Sequence, residues 1–598
     1  MKFTKVFLAA LLAVVVGSIL SGLLWLFVIL GIAGSMEEPT VVAPESILKI
    51  DMADNITDSP STNPFAGIDF MTLESTKSYT LLNVLRAIEA AKEDPKIKGI
   101  YMNFTGAGGA STAIIEELRA AIVDFKESGK FVVAYNDTYS QVGYYLASAA
   151  DKIYMQPEGG MSWVGLSATL MFYKGAMDKL GLSAEVFRPT VCKYKSAVEP
   201  YILNKMSDAN RAQMQAMCDD MWGVMTQTIA EARGLDVKEL NRLADDLELM
   251  FPEDALKYKL VDGLLYADQM DEVFENYGVQ RNSEGEFDMV TLGEYCSLAK
   301  ADLKNLTAPK IGIVYADGEI VDGEGSDDKI YGTTLAQTIA KARKDDKIKA
   351  VVLRVNSPGG SALASDIIWR EVELLKKEKP VIVSMGSYAA SGGYYISCPA
   401  DAIVADKLTL TGSIGVFGMM IEGGDMLKNK LGITFDTVKT NPSADMGQAV
   451  FGMLQIRKCT PVERNTIIRS VDKVYETFTS KVATGRNLAI EKVLDIAQGR
   501  VWSGTRAIGI GLVDANGGLK QAIAVAADKA GIADNFRVTE VLEELTPFAA
   551  FMQSLNAQVR TAISSDETNY IRSTYSTLEE ILARQGVQAY CPYVVTVE

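Results

Sequence analysis

Much of this chain is written twice, and that constrains its fold more than any other feature. Residues 91–103, AKEDPKIKGIYMN, run against 342–354, ARKDDKIKAVVLR, at a constant offset of 251. After one residue is dropped, KFVVAY (130–135) meets PVIVSM (380–385), and GYYLASAADKI (143–153) meets GYYISCPADAI (393–403). KLGL (179–182) then pairs with KLGI (430–433), and LVDGL (260–264) with LVDAN (512–516). Agreement over this length with so few gaps identifies two copies of one domain. Within each copy, short β-type runs alternate with amphipathic helical segments. Leu81, Leu85 and Ile88 share a helical face before one strand, and Leu335 and Ile339 do the same before its counterpart. Alternation of this kind predicts an α/β fold built on largely parallel strands. Residues 219–232 and 464–484 are further predicted helices that cover the sheets or join the copies.

Ahead of the repeats, Lys2 and Lys5 precede an uncharged run from Val6 to Met36 that ends at Glu37 and Glu38. About 20 apolar residues suffice to span a bilayer. The length of the run, with Trp25 and Phe27 inside it, favours a retained transmembrane helix over a cleaved signal peptide. Its flanking charges place the amino terminus in the cytoplasm and the bulk of the chain outside, on the periplasmic side of the inner membrane in a bacterial cell. The expected organisation is therefore a membrane anchor over 1–36, a first repeat over 45–305, a second over 308–545, and a tail over 546–598. The tail has no counterpart in the first half; its Ser/Thr-rich middle, 564–576, is assigned to mobility or assembly.

One compositional fact narrows the chemistry. The chain contains no histidine, which excludes Ser-His-Asp triads, Cys-His dyads and His-ligated metal sites. A base working near neutral pH must then be Lys, a carboxylate, Tyr or the amino terminus. The six cysteines are scattered without a CxxC pair, which argues against zinc and against a dense disulfide framework, leaving room for one long-range bridge. A formal charge of −17 argues against nucleic acid as a partner. No metal, nucleotide or organic cofactor is indicated.

The second repeat holds three β-type runs that end in small, Gly-rich corners: SPGG (357–360), SGG (391–393) and TGSIG (411–415). Such corners let a ligand approach backbone N–H groups. Ser391 sits just before Gly392 and Gly393, an arrangement suited to acyl transfer as well as to an ordinary turn. The duplication discriminates between the two. Ser391 pairs with Gln141, SPGG with GAGG (106–109), and Ser413 with Trp163, so the first copy lacks these hydroxyls. Conversely, KYKSAVEPY (193–201) carries Lys195 where the second copy has Met446. The simplest physical account is one composite site, its hydroxyl from one half and its amine from the other.

VVLRVNSPGGS (351–361), SYAASGGYYIS (387–397), LTGSIGVFG (410–418) and YKSAVEP (194–200), with the anchor and the duplication, resemble the S49 family of signal peptide peptidases in its long, tandem-repeat form, over about residues 45–540. The resemblance implies a tandem Clp-protease/crotonase-like fold, a Ser/Lys dyad, cleavage of signal peptides left in the membrane after secretion, and a homotetramer. By this match Ser391 is the nucleophile and Lys195 the general base, with Lys193 a rival amine that the YKSAVEP alignment disfavours. A free Lys titrates near 10.4, so the role requires a downward shift of roughly three units, about 4 kcal/mol, which burial can supply. Gly359 and Gly392 are the candidate oxyanion donors through their backbone N–H groups; tight turns are their bland alternative. Ser413 is the candidate for orienting the Lys amine, with close packing in TGSIG as its alternative, and Asn356 and Ser361 shape the corner. Expected substrates are extended apolar peptides added to a sheet edge.

Other functions fit less well. The S-x-x-K spelling of penicillin-recognising enzymes occurs at 46–49 and 470–473, but neither SDN nor KTG accompanies it. A crotonase-type CoA enzyme would rest on fold analogy alone. A catalytically silent, membrane-anchored scaffold is the remaining alternative, opposed by the retention of both Ser391 and Lys195.

Overall fold

A computed structural model describes residues 41–61, 63, 78–106, 111–300, 307–326, 329–450, 454–543 and 586–591, with isolated positions at 16, 17, 19 and 22. The expected anchor (apart from those positions), Gly108 and Gly109, and most of the tail lie outside the described residues. Among the described residues no helix is long and apolar enough to cross a membrane.

Each repeat builds a parallel sheet with helices against it. In the first, strands Ser46–Asp51, Ile97–Asn103, Phe131–Tyr139 and Lys152–Met161 pair in parallel, in that spatial order. In the second, Lys310–Asp317, Ile348–Ser357, Val381–Ala390 and Ala402–Ala405 do the same. The strands are nearly continuous apolar runs because both faces of a parallel sheet are covered: Ile311, Ile313 and Val352 face one core, and Val314, Val351 and Leu353 face another. The helices correspond as the sequence offset requires, Leu81–Glu93 with Gly332–Lys344 and Thr112–Lys126 with Ala362–Lys376. Duplicated side chains also do duplicated work. Asp262 accepts the Ile153 N–H at 2.9 Å, and Asp514 accepts the Ile403 N–H at 2.7 Å. Tyr144 donates to the Leu260 carbonyl at 2.7 Å, and Tyr394 to the Leu512 carbonyl at 2.9 Å.

A third sheet joins the copies. Its order runs Ile330–Tyr331, Ile320–Val321, Gly359–Ser361, Gly586–Tyr590, Phe417–Glu422, Leu454–Gln455, Ala449–Val450, with first-repeat strand Ser183–Phe187 also pairing antiparallel to Phe417–Glu422. The expected helices appear as Asp208–Arg233 and Pro461–Gly485, opened by Ser207 and Thr460, whose hydroxyls accept the N–H groups of Asn210 and Glu463. None of the six cysteines is in a disulfide, so no long-range bridge links the copies.

The copies are also locked by charge. Arg354, on the second repeat's central strand and 1% exposed, meets Asp58 at 2.5 Å and Glu117 at 2.7 Å, both from the first repeat. Glu117 in turn accepts the Leu519 N–H at 2.5 Å, and burial pushes its carboxyl up. Nearby Asp406 is raised well above the usual range, by burial first and by Glu117 second. Removing one partner of a buried pair strands the others without solvent. Arg354→Met should therefore destabilise the fold by about 3–5 kcal/mol, read as a lowered denaturation midpoint. Adding Asp58→Asn and Glu117→Gln to it should recover most of the loss.

Candidate active site

Strand Val381–Ala390 ends against helix Gly392–Ser397, and Ser391 is the residue at the corner. Its backbone sits at φ 57°, ψ −112°, a conformation that non-glycine residues occupy at a cost of order 1–3 kcal/mol. The Ser391 N–H donates to the Gly412 carbonyl at 2.8 Å, which holds the corner to the neighbouring strand Leu410–Gly412. The two glycines that follow are required by contact. A Cβ on Gly393 would lie 2.6 Å from the Ser357 carbonyl oxygen, and one on Gly392 2.7 Å from Ser365 Oγ.

Lys195 arrives from the first repeat, in the turn before the short 3₁₀ helix Ser196–Val198. It is 1% exposed, and Ser391 is wholly buried. Its Nζ lies 2.6 Å from Ser391 Oγ, 2.9 Å from Ser413 Oγ and 3.0 Å from the Ser413 carbonyl oxygen. Nζ donates to all three oxygens, and the Ser391 hydroxyl donates to the Gly415 carbonyl at 3.5 Å. No carboxylate is among the contacts, so burial acts nearly unopposed and lowers the Lys195 pKa to about 8. The sign follows from the depressed value. The unfolded chain binds the extra proton between pH 8 and 10.5, so burying the amine costs about 3 kcal/mol below pH 8. That cost disappears as pH rises through this window.

The five expected site residues converge, with one difference. Ser391, Lys195 and Ser413 are in direct contact, and Ser413, at φ 49°, is held by its N–H on the Arg500 carbonyl at 2.7 Å. Gly359 and Gly392 are adjacent in space, since a Cβ on Gly359 would fall 2.6 Å from the Gly392 nitrogen. The Gly359 N–H, however, donates to Ser357 Oγ at 3.1 Å, so in this state its hydrogen is directed at a side chain of its own corner. Lys193 is exposed and lies over the Tyr194 ring, away from the hydroxyl. Asn356 donates to Asp317 at 3.0 Å and Ser361 to Asp322 at 2.5 Å, both as corner-shaping contacts.

Residues outside the expected set fix the amine. A Cβ on Gly499, at φ 78°, would lie 2.6–2.8 Å from Lys195 Cβ, N and Cα, so only glycine lets the two backbones meet. Arg188 donates to the Lys195 carbonyl at 2.8 Å. Buried Glu199 accepts from Ser207 Oγ at 2.6 Å and from Asn210 Nδ2 at 3.0 Å, pinning the turn that follows Lys195. The self-comparison carries a signal for Gly499, because offset 251 sets it against Glu248. Arg188 and Glu199 act through backbone and turn contacts and leave no such mark.

A buried hydroxyl at a strained corner, touching an amine of lowered pKa with backbone N–H groups alongside, can make and break an acyl bond. The comparisons agree with that chemistry. The profile of peptidase family S49 matches residues 124–279 and 373–533, once in each repeat. Protease 4 of Salmonella typhi is 35% identical over 540 residues, covering 88% of this chain and 84% of that protein. Protease 4 of Haemophilus influenzae is 37% identical over 460 residues, covering 75% and 72%. The chloroplastic serine protease SPPA of Arabidopsis thaliana is 32% identical over 507 residues, covering 83% and 72%. The chain belongs to peptidase family S49 and is a serine peptidase.

Proposed function

We propose that the chain is a membrane-anchored endopeptidase that uses a Ser391/Lys195 dyad to degrade cleaved signal peptides and other extended apolar peptides. The observation that carries this reading is the 2.6 Å contact between Lys195 Nζ and Ser391 Oγ, made by residues of different repeats. Ser391 Oγ attacks the scissile carbonyl carbon while its proton passes to Lys195 Nζ. The Gly392 N–H, joined by the Gly359 N–H once that leaves Ser357, receives the oxyanion. Lys195 then protonates the departing amine, and a water deprotonated by the same amine hydrolyses the ester. Ser413 keeps the lone pair of Lys195 aimed at Ser391. The repeats are of the Clp-protease/crotonase kind, divided at 45–305 and 308–545, with 1–36 as the anchor in a bacterial inner membrane and the catalytic part outside the cytoplasm.

Assembly follows from the repeat. Phe417–Glu422 carries Ser183–Phe187 as a neighbouring strand, Gly418 opposite Phe187 and Ile421 opposite Ala184. The same offsets carry this pairing onto 167–172 and 434–438, two segments that form no strand in the single chain. Met171, Phe435 and Val438 on them are 68%, 44% and 101% exposed. Residues 434–438 of one copy therefore pair with 167–172 of the next, a head-to-tail contact that closes into a ring, with a tetramer the expected size.

Three outcomes test this reading. Ser391→Ala and Lys195→Ala should each abolish hydrolysis of an apolar fluorogenic peptide, with a fluorophosphonate adduct mapping to Ser391 in the wild type. A wild-type protein that is folded yet neither labels nor cleaves would sink the reading. Because the base must be unprotonated, kcat/KM should fall about tenfold per pH unit below pH 8 and level off above it. Phe435→Asp combined with Val438→Asp should convert the assembly to single chains by light scattering, whereas an unchanged mass would remove the proposed interface.

A further inference from the structure

Lys195 and Ser413 meet across the two repeats, and one short segment, 498–500, touches both of them. The Gln498 carbonyl accepts the Tyr194 N–H at 3.1 Å. Gly499 packs on the Lys195 backbone, and its carbonyl accepts the Ser413 hydroxyl at 3.4 Å. The Arg500 carbonyl accepts the Ser413 N–H at 2.7 Å. The segment is a rail, with the turn that carries the amine on one side and the hydroxyl that orients it on the other. Its backbone is not an easy one. Gln498 and Gly499 lie at φ 56° and 78°, and Gly412 and Ser413 opposite them at 74° and 49°. Non-glycine residues stay in that region only where surrounding contacts over-determine it.

The side chain of Arg500 supplies such a contact. Its guanidinium carbon lies 5.1 Å from the centre of the Tyr194 ring and 4.2 Å from the centre of the Trp502 ring, within reach of both aromatic faces. Among the described residues no carboxylate or carbonyl takes up its N–H groups, so the two rings are what hold it. Trp502 is fixed in turn. Its indole N–H donates to the Ile496 carbonyl at 3.0 Å, and a Cβ on Gly412 would fall 2.8 Å from its Cδ1. Tyr194 belongs to the first repeat and immediately precedes Lys195, whereas Arg500 and Trp502 belong to the second. The clamp therefore spans the same junction as the dyad. At offset 251 its members meet Asp445, Leu249 and Phe251, so the repeat's unused counterpart lacks it. There Asp445 is taken by Arg457 at 2.6 Å, and Phe251 is 65% exposed.

Resting on the peptidase reading, we infer that Arg500 is a positioning residue for the base: held between Tyr194 and Trp502, it fixes segment 498–500 and through it the Lys195 turn against Ser413. Arg500 acts through these neighbours and has no contact with Ser391 Oγ or Lys195 Nζ among the described residues. Without the clamp, Ser391 and the strands around it stay in place, but the Lys195 turn and Ser413 are free to separate. An amine that water can then reach returns toward the ordinary lysine range. The defect is one of proton transfer, and substrate binding persists.

The test follows hydrolysis of an apolar fluorogenic peptide by the detergent-solubilised full chain, from about pH 6 to about pH 10. Arg500→Leu should lower kcat about tenfold at pH 7, leave KM within about twofold, and move the midpoint of the acid limb of kcat/KM up by about one pH unit. Tyr194→Leu should do the same from the first repeat, which keeps the test open should Arg500→Leu not fold. The double variant should lose no more than either alone, as a single shared contact requires. Arg500→Lys keeps a cation between the rings and Tyr194→Phe keeps the ring, so each should recover most of the rate and the wild-type midpoint. A folded Arg500→Leu protein with an unmoved acid limb would overturn the inference, as would losses that add in the double variant. A wild type with no acid limb at all would instead remove Lys195 as the base, and this inference with it, whatever the variants show.

Discussion

Everything at the centre of this molecule depends on keeping one amine dry. Lys195 is surrounded by hydroxyls, carbonyls and apolar side chains with no carboxylate in contact, and that arrangement lowers its pKa to about 8. An acidic neighbour would bring back the charge and raise the pKa again. The contrast with Arg354 is instructive, because it is as deeply buried but is given Asp58 and Glu117. Both cations sit at junctions between the repeats. One is compensated and serves cohesion; the other is left uncompensated and is fit for proton transfer. The difference lies in which side chains the opposite repeat presents, so the junction between the copies decides both stability and chemistry.

Duplication produced two corners, and only one of them has kept room to react. Where the second repeat has Ser391, the first has Gln141, whose Oε1 accepts the Val164 and Gly165 N–H groups at 3.0 and 2.8 Å. Its Nε2 donates to the Gly165 carbonyl at 3.1 Å. Where the second has Ser413, the first has Trp163, 1% exposed and bonded through its indole N–H to the Leu240 carbonyl at 2.9 Å. Larger side chains have taken up the space and the donors of the unused corner. Once the corner no longer had to stay open, filling it satisfied buried backbone groups that substrate would otherwise have had to meet.

How much of this was legible in the sequence follows from where the signal is stored. The repeat, the parallel strands and the convergence of Ser391, Lys195 and Ser413 were readable because one copy annotates the other position by position. Gly359 was read as a donor and lies beside Gly392, but its N–H is turned to Ser357, a hydrogen-bond choice that spelling does not encode. The strand at 586–590 was not legible. GVQAY carries little periodicity, its partners lie more than 160 residues away, and the first repeat has nothing to compare it with. Glu199 and Arg188 were missed for a related reason: they act on the backbone around Lys195, where many side chains would spell the same contact.

The third sheet gives the tail its physical necessity. Gly359–Ser361 and Phe417–Glu422 each need a neighbour on the side facing the nucleophile, and open strand edges are costly when buried and adhesive when exposed. Here the two edges face one another across a gap one strand wide. Left empty, the gap exposes Ala197, Val198, Phe417 and the methionines at 214 and 217. An apolar gap between two open strand edges is a poor free surface. A strand from the same chain closes both edges: Gly586–Tyr590 pairs antiparallel with each of them.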